Sequence, residues 1–365
     1  MLYLGIDQHR SQLTISLRDE QGTVVLRQQV STKWERVRQF FAQLRDRCAA
    51  DGGFTAIVEV CGFNDWLLKL LGEYDCKEIV LIQSETRSKK KTDRRDANRL
   101  SELLWVNRQR LRAGQKVQGL RRVWIPSAEV RGDRQLAELR KRLARQRTRV
   151  INQVSHILRK HNLQHGCPTK GIQSKTARAW LKTLALPELD RFELDQCLEQ
   201  WELFDKQLAQ TEQRVAQRVA NHPQAQCIAT LYGGKSGYSG LAIAASVGSI
   251  DRFQRPRSLS NFWGITPSSR NSGEANNRLG SITKEGSSTV RFLLGQLVNH
   301  VLRRDAWMRQ WYKRIKHRRG SKIARVAVMR RLATIIWHML KYNQPYVPGD
   351  PAKRKLLLAY MPRQT

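Results

Sequence analysis

The sequence predicts an α/β domain followed by a mostly helical region, α/β plus α. The first third alternates short strand-type runs with amphipathic helical stretches, the middle carries an apolar seam of helical period, and the last third sets a Gly- and Ser-rich loop between helical patterns.

From Leu2 to about Arg110 the pattern reads βββαβαβα. Leu2, Leu4 and Ile6 alternate with polar or small residues, as do Leu13, Ile15 and Leu17, then Val24 and Leu26. Turns such as Asp19-Glu20-Gln21-Gly22 separate them, which predicts an antiparallel meander. A helix over about Thr32 to Ala50 places Trp34, Val37, Phe40, Phe41 and Leu44 on one face. After Asp51-Gly52-Gly53, the stretch Phe54 to Val60 is apolar enough for a strand buried on both faces. A helix near Asn64 to Leu71 and a strand over Glu78 to Ile82 complete a sheet of mixed direction, in the order of a ribonuclease H-like domain.

In such sheets the first and fourth strands are neighbours, so Asp7 and Glu59 can converge on one ion. The rival reading makes Asp7 a turn residue and Glu59 a strand-end surface charge. Lys91-Thr92-Asp93-Arg94-Arg95-Asp96-Ala97 opens a helix carrying Leu100, Leu103 and Leu104, and Asp93 and Asp96 share one helical face. The helix dipole also favours acids in a first turn, but a cap explains one acid better than two. Hard oxygen donors of this kind suit Mg²⁺ or Mn²⁺. Two ions about 4 Å apart could hold both the attacking and the leaving oxygen of an in-line displacement. Arg87, Lys89, Lys90, Lys91, Arg94 and Arg95 surround these acids and are expected on the scissile backbone.

Charge agrees with a phosphate partner. Lys and Arg number 66 against 31 Asp and Glu in 365 residues, a net charge of +35 that implies a polyanion. A ribosomal or membrane-surface protein would share that balance. No apolar run approaches the roughly 18 residues that span a bilayer, and Leu2 enters a strand without a signal-like tract, so a cytoplasmic, nucleoid-associated protein is expected. Six cysteines show no CxxC pair and are expected to be reduced and mostly buried. Eight histidines show no HxH or HExxH spacing; His156, His161 and His165 are expected on polar or nucleic-acid-facing surfaces rather than on a metal.

Domain boundaries are expected near 125 and 222. Between them, Leu136, Leu139, Leu143, Val150, Val154 and Ile157 form one seam, flanked by Arg140, Lys141, Arg142, Arg145, Arg147 and Arg149. Leu198, Trp201, Leu208, Val215 and Val219 form another, so two long helices joined near His165 to Lys170 make an antiparallel arm, a spacer or a nucleic-acid-tracking element.

From 223 to 365, Thr230 to Phe253 reads as helix, Gly-rich hairpin, helix. Gly234-Lys235-Ser236 echoes the end of a P-loop, but Ala229 stands where that motif needs glycine, which argues against an ATPase. A hairpin whose amides, with Lys235, meet a backbone phosphate fits better. A loop with Ser268, Ser269, Arg270 and Ser272 follows Gly264-Ile265-Thr266-Pro267. Ile282-Thr283-Lys284-Glu285-Gly286 leads into a helix from Ser288, and Arg303 to Tyr342 is a helical, Arg-rich stretch with Ile323, Val326, Leu332, Ile336, Trp337 and Leu340 as its buried face. Arg270 and Lys284 are expected on nucleic acid.

Gly5-Ile6-Asp7, Val58-Glu59, the Lys91 to Ala97 motif, Gly264-Ile265-Thr266-Pro267 with Ser272-Gly273, and Ile282 to Gly286 together resemble the DEDD-type insertion-sequence transposases. These are bridge-RNA-guided recombinases with an N-terminal RuvC-like domain, a coiled-coil arm and a C-terminal transposase domain. The resemblance covers almost the whole chain. It implies a RuvC-like DEDD domain over 1–125, the arm over 126–222 and a serine-bearing transposase domain over 223–365. It makes Asp7, Glu59, Asp93 and Asp96 the metal ligands and Ser272 the nucleophile that holds a DNA end as phosphoserine, with Ser268 and Ser269 as competitors. It also implies a noncoding bridge RNA that pairs with donor and target DNA, and a tetramer in which acids and serine come from different protomers. Cys61 and the Tyr232-Gly233-Gly234 hairpin depart from the family pattern. The rival functions are a metal-dependent junction-resolving nuclease that uses water, and a non-catalytic RNA-binding protein.

Overall fold

A computed structural model describes residues 1–83, 93–115, 117, 120–234, 236–269 and 279–349, with the side chains of 93, 94, 269 and 279 outside the described set. The chain divides into two compact units, Met1–Ile125 and Pro126–Thr365.

The first unit is a six-stranded sheet with helices on both faces. Its elements are β1 (Leu2–Gln8), β2 (Gln12–Arg18), β3 (Val24–Ser31), α1 (Trp34–Cys48), β4 (Phe54–Glu59), α2 (Asp65–Glu73), β5 (Glu78–Gln83), α3 (Asp93–Val106), α4 (Arg108–Arg112) and β6 (Arg121–Arg122). The strand order is β3-β2-β1-β4-β5-β6. The meander β1-β2-β3 is antiparallel, β4 and β5 run parallel to β1, and β6 is antiparallel to β5. This is the mixed ribonuclease H-like sheet that the alternation predicts. Because side chains alternate across a strand, Leu2, Leu4 and Ile6 face one core with Val37, Phe41, Leu67 and Leu71 of α1 and α2. Tyr3 faces the opposite core with Ile57, Val80, Leu100 and Leu104. Trp34, expected on the buried face of α1, is 54% exposed and meets Trp66 edge to face instead, because it is the first residue of its helix.

The second unit is helical: α5 (Ala128–Lys160), α6 (Lys175–Thr183), α7 (Glu188–Ala220), α8 (Pro223–Ala229), α9 (Gly237–Val247), α10 (Pro256–Phe262), a hairpin of β7 (Pro267–Ser269) and β8 (Leu279–Ile282), then α11 (Ser288–Arg304) and α12 (Ala306–Tyr342). Ion pairs fix α5 and α7 as antiparallel: Asp133 with Arg218 at 2.5 Å, Arg140 with Glu212 at 2.7 Å, Arg147 with Asp205 at 2.5 Å, and Lys160 with Asp190 at 2.7 Å. The partners climb one helix while descending the other, and Asp133, Arg140 and Arg147 recur at heptad spacing. Half-exposed pairs such as Arg140–Glu212 and Arg147–Asp205 each contribute little stability, so their main consequence is register, whereas the carboxylate of buried Asp133 depends on Arg218 as its partner. The apolar seam supplies the stability, with Val150, Val154, Ile157, Leu194, Leu198 and Trp201 buried at the far end of the pair, where α6 adds Leu181.

A larger core gathers α8 to α12 around the base of this helical pair, with Trp263, Leu294, Met308, Leu332 and Ile336 fully buried. The predicted single Arg303 to Tyr342 helix is interrupted twice: Asp305 caps α12 through Met308 N–H, and Gly320 (φ 83°, ψ 165°) kinks it. Ile323, just past that kink, is 53% exposed rather than buried. All six cysteines are free, with Cys48 and Cys197 buried and the other four only half-buried, so the expectation of mostly buried thiols is corrected. Among the described residues no helix is long and apolar enough to cross a membrane.

Candidate active site

Strand register brings two of the predicted acids side by side. Gly5 pairs with Ile57 and Ile6 with Val58, so the next positions on these parallel neighbours are Asp7 and Glu59. Across the antiparallel pair, Asp7 faces Thr14. Asp7 shares its face of β1 with Gly5 and Tyr3, the face covered by α3. At Gly5 a Cβ would lie 2.4 Å from both Ala97 O and Ser101 N, so only glycine lets the two backbones touch. Tyr3 clusters with Leu100 and Leu104. The helix therefore runs toward the start of β1, and its first turn, with Asp93 and Asp96, lies toward the Asp7 end. Asp96 is half-buried there; the Asp93 side chain lies outside the described residues.

Two polar networks hold this corner, and neither was legible as functional in the sequence. Cys61 N–H donates to Asn64 Oδ1 at 2.6 Å, and Asn64 Nδ2 donates to Gln8 Oε1 at 2.7 Å and to Glu59 O at 3.1 Å. Gln8 Nε2 donates to Phe63 O at 3.1 Å, and the Cys61 thiol lies 3.6 Å from Gln8 Oε1. Cys61 thus belongs to the clasp that shapes the turn after Glu59. On the other flank, Ser16 and Ser101 hydroxyls meet at 2.9 Å, and Arg18 donates to Ser101 Oγ at 3.1 Å and to Asn98 Oδ1 at 3.2 Å, pinning α3 to β2.

The donor set fits a hard divalent cation in kind. Carboxylates at adjacent strand positions supply anionic oxygens, and beside them Thr14 Oγ1 is buried without a hydrogen-bond partner among the described residues. His9 Nε2 lies 3.0 Å from Asp7 Oδ2. Among the described residues no three His, Cys, Asp or Glu side chains gather closely enough to hold a metal by themselves. Arg87, Lys89, Lys90, Lys91 and the Arg94 side chain lie outside the described residues. Arg95 is exposed and, with Thr14, Ser16, Arg27, Gln29 and Asn98, lines a groove of about 510 Å³.

In the second unit, β7 and β8 pair antiparallel, Pro267 with Ile282 and Ser269 with Leu279, and frame residues 270–278. Arg270 and Ser272 lie in that stretch, outside the described residues. Ser268 Oγ donates to Ser281 O at 3.0 Å, a ladder role that ties up its proton. The two flanking motifs prove to be one structural unit. A Cβ on Gly264 (φ +63°) would lie 2.0 Å from Glu285 O, and one on Gly286 (φ +78°) would lie 2.0 Å from Phe262 O. Thr283 N–H donates to Thr266 O and Lys284 N–H to Gly264 O, at 3.0 and 3.1 Å. A single Arg291 nitrogen reaches the carbonyls of Trp263, Glu285 and Gly286 at 3.2, 3.0 and 3.2 Å. Lys284 is exposed with φ +57°, at the rim of this root.

The Gly-rich hairpin between α8 and α9 is corrected in one respect. Gly233 N–H donates to Thr230 O at 3.0 Å and Gly234 N–H to Ala229 O at 2.9 Å, a Schellman cap that takes up these two of the hairpin's amides. Lys235 lies outside the described residues.

Comparison with known proteins agrees with both halves. A family model described as a transposase, of the DEDD type from IS110 elements, matches residues 4–163, and one described as "Transposase IS116/IS110/IS902 family" matches residues 230–313. The transposase for insertion sequence element IS1111A of Coxiella burnetii is 27% identical over 95% of this chain and 91% of its own length. A probable family 20 transposase of Pseudomonas aeruginosa is 25% identical, covering 95% of this chain and 98% of its own. A putative transposase of Sinorhizobium fredii, y4qE, is 28% identical over 74% of this chain and 70% of its own.

Proposed function

The chain belongs to the IS110 family of transposases, enzymes that cleave and rejoin DNA, and we propose that it moves its element by serine attack on DNA phosphate under bridge-RNA guidance. The observation that carries this reading is the adjacency of Asp7 and Glu59 on β1 and β4 beneath the first turn of α3.

Asp7, Glu59, Asp93 and Asp96 would hold Mg²⁺ or Mn²⁺. Such an ion, when bound, polarises a phosphate and stabilises the charge that develops on it. The chain's own residues do the rest. Ser272 Oγ loses its proton and bonds to phosphorus, the strand's bridging P–O bond breaks, and the departing oxygen takes up a proton as a hydroxyl. The phosphoserine conserves the bond energy, so an incoming hydroxyl reverses the step and joins a new strand. The hairpin root at Gly264 and Gly286 orients the serine loop, and Arg87, Lys89, Lys90, Lys91, Arg94, Arg95, Lys235, Arg270 and Lys284 bind donor DNA, target DNA and guide RNA. A noncoding RNA would choose both sites by pairing, and four protomers would supply the acids and serines for two duplexes.

The test is to purify the protein with its element RNA, add donor and target DNA with Mg²⁺, and resolve covalent protein-DNA species on a denaturing gel. Wild type should form an adduct that Ser272→Ala and Asp7→Asn both lose. Cleaved DNA without adduct would replace this reading with a water-using nuclease, and unchanged DNA in every lane with an RNA-binding protein.

A further inference from the structure

A pocket of about 520 Å³ opens at the root of the serine hairpin, and nothing in the proposed chemistry uses it. Thr266 and Pro267, where the chain enters β7, form one wall; Arg257 of α10 and Trp311, Arg330 and Arg331 of α12 form the others. Its described lining contains three arginines and no acidic residue, so it carries strong positive charge. Arg257 and Arg330 are exposed, whereas Arg331 and Trp311 are half-buried. The Arg331 guanidinium lies 4.4 Å from the Trp307 ring centre and 5.0 Å from that of Trp311. Held between two indoles, that guanidinium is positioned before any ligand arrives.

Three properties define the ligand. The volume suits one nucleotide and is too small for a duplex. Guanidinium groups match phosphate oxygens. An indole braced by a cation offers a surface on which a base can stack, and a base is free to do so only when unpaired. The pocket is also continuous with the strand that leads into the loop of Ser272.

We propose that this pocket receives one unpaired nucleotide of the DNA strand next to the phosphate that is cut, its phosphate on Arg257 and Arg330 and its base against Trp311. The assignment to DNA rests on the reading of the serine hairpin as the reacting site. The pocket would hold the strand in place while the serine loop acts.

The test separates binding from chemistry by using full-length Ser272→Ala protein with its RNA, so that no adduct is needed. Affinity for a donor duplex carrying the element end is measured with single abasic sites stepped through the cleavage region. Trp311→Ala should weaken binding about 5- to 150-fold, the worth of one stacked base. At one DNA position the abasic strand should show the same loss, and the two losses should not multiply. Trp311→Phe, which keeps a stacking face and the core, should retain most affinity and serves as the folding control. Arg257→Ala and Arg330→Ala should each lower the log-log salt slope, and the double variant by about 0.7 in all, the worth of the one single-strand phosphate they share. Losses that multiply at every DNA position overturn the proposal, as does coupling that appears only with abasic sites in the RNA. If the Ser272-dependent adduct fails while this coupling holds, the serine reading falls and the nucleotide pocket stands.

Discussion

Asn64 Nδ2 donates a 2.7 Å hydrogen bond to Gln8 Oε1, and through this pair the end of the strand carrying Asp7 is tied to the turn that follows Glu59. The two side chains belong to residues only 6% and 8% exposed, so water cannot replace the bond. Asn64→Leu would also strand Cys61 N–H, which donates to Asn64 Oδ1. A cost of about 1–3 kcal/mol is expected in urea unfolding, together with reduced DNA cleavage. Gln8→Leu added to Asn64→Leu should cost less than Gln8→Leu alone, because the shared bond is already gone and only the bond from Gln8 to Phe63 O is newly lost. Fully additive losses would show that the two residues act independently.

Gly264 and Gly286 should tolerate no side chain. Each has positive φ and faces backbone that cannot move aside. Gly286→Ala is expected to destabilise the protein by more than about 1 kcal/mol and to abolish strand cleavage, because the hairpin framing residues 270–278 loses its root. Gly295→Ala is the control: a Cβ there meets nothing within 4 Å, and in the middle of α11 alanine should match or exceed wild-type stability by up to about 1 kcal/mol. Equal behaviour of the two variants in chemical denaturation would refute the docking of the two motifs.

The arm should weaken in acid in a defined window. Burial pushes the Asp205 carboxyl up, but bonds from Arg147 and Arg178 outweigh it and hold the group below the usual carboxylate range. A folded value below the unfolded one, near 3.9, means that this stabilisation is complete above that pH and is lost as pH falls through the lower folded value. Wild type should therefore melt above Asp205→Asn at pH 7, and the difference in Tm should shrink below about pH 4. A difference that stays constant down to pH 2 would contradict the assignment.

Period carried the strands and both long helices: Leu2, Leu4 and Ile6 bury one face, and Val150, Val154 and Ile157 bury the far part of the 136–157 seam, whereas Leu136 and Leu139 at its near end are only half-buried. The acids were legible because Asp7 and Glu59 end apolar runs. What surrounds them was not. Thr14 and Ser16 alternate with Leu13, Ile15 and Leu17, so they read as a solvated polar face; α3 covers that face, and one polar position becomes a hydrogen-bonded contact with Ser101. Gly264 and Gly286 lie 22 positions apart, and no local pattern announces that each fits against the other's neighbour. Trp34 and Ile323 were misplaced because helix ends and kinks break the periodicity that assigns faces.

Thr14 offers a test of the site that runs opposite to most substitutions. It stands across from Asp7, belongs to a residue only 3% exposed, and its hydroxyl has no hydrogen-bond partner among the described residues. A buried hydroxyl left unsatisfied costs about 1–3 kcal/mol, so it should be a liability in the free protein. Thr14→Val removes the hydroxyl while nearly keeping its shape and is expected to raise unfolding stability by up to that amount. DNA cleavage should fall in the same variant, because the hydroxyl stands at the strand position opposite Asp7. Thr14→Ser, which retains the oxygen, should recover cleavage without the gain in stability. If Thr14→Val were less stable than wild type, the hydroxyl would have a native partner. If it cleaved normally, the groove beside Asp7 would have no part in substrate binding.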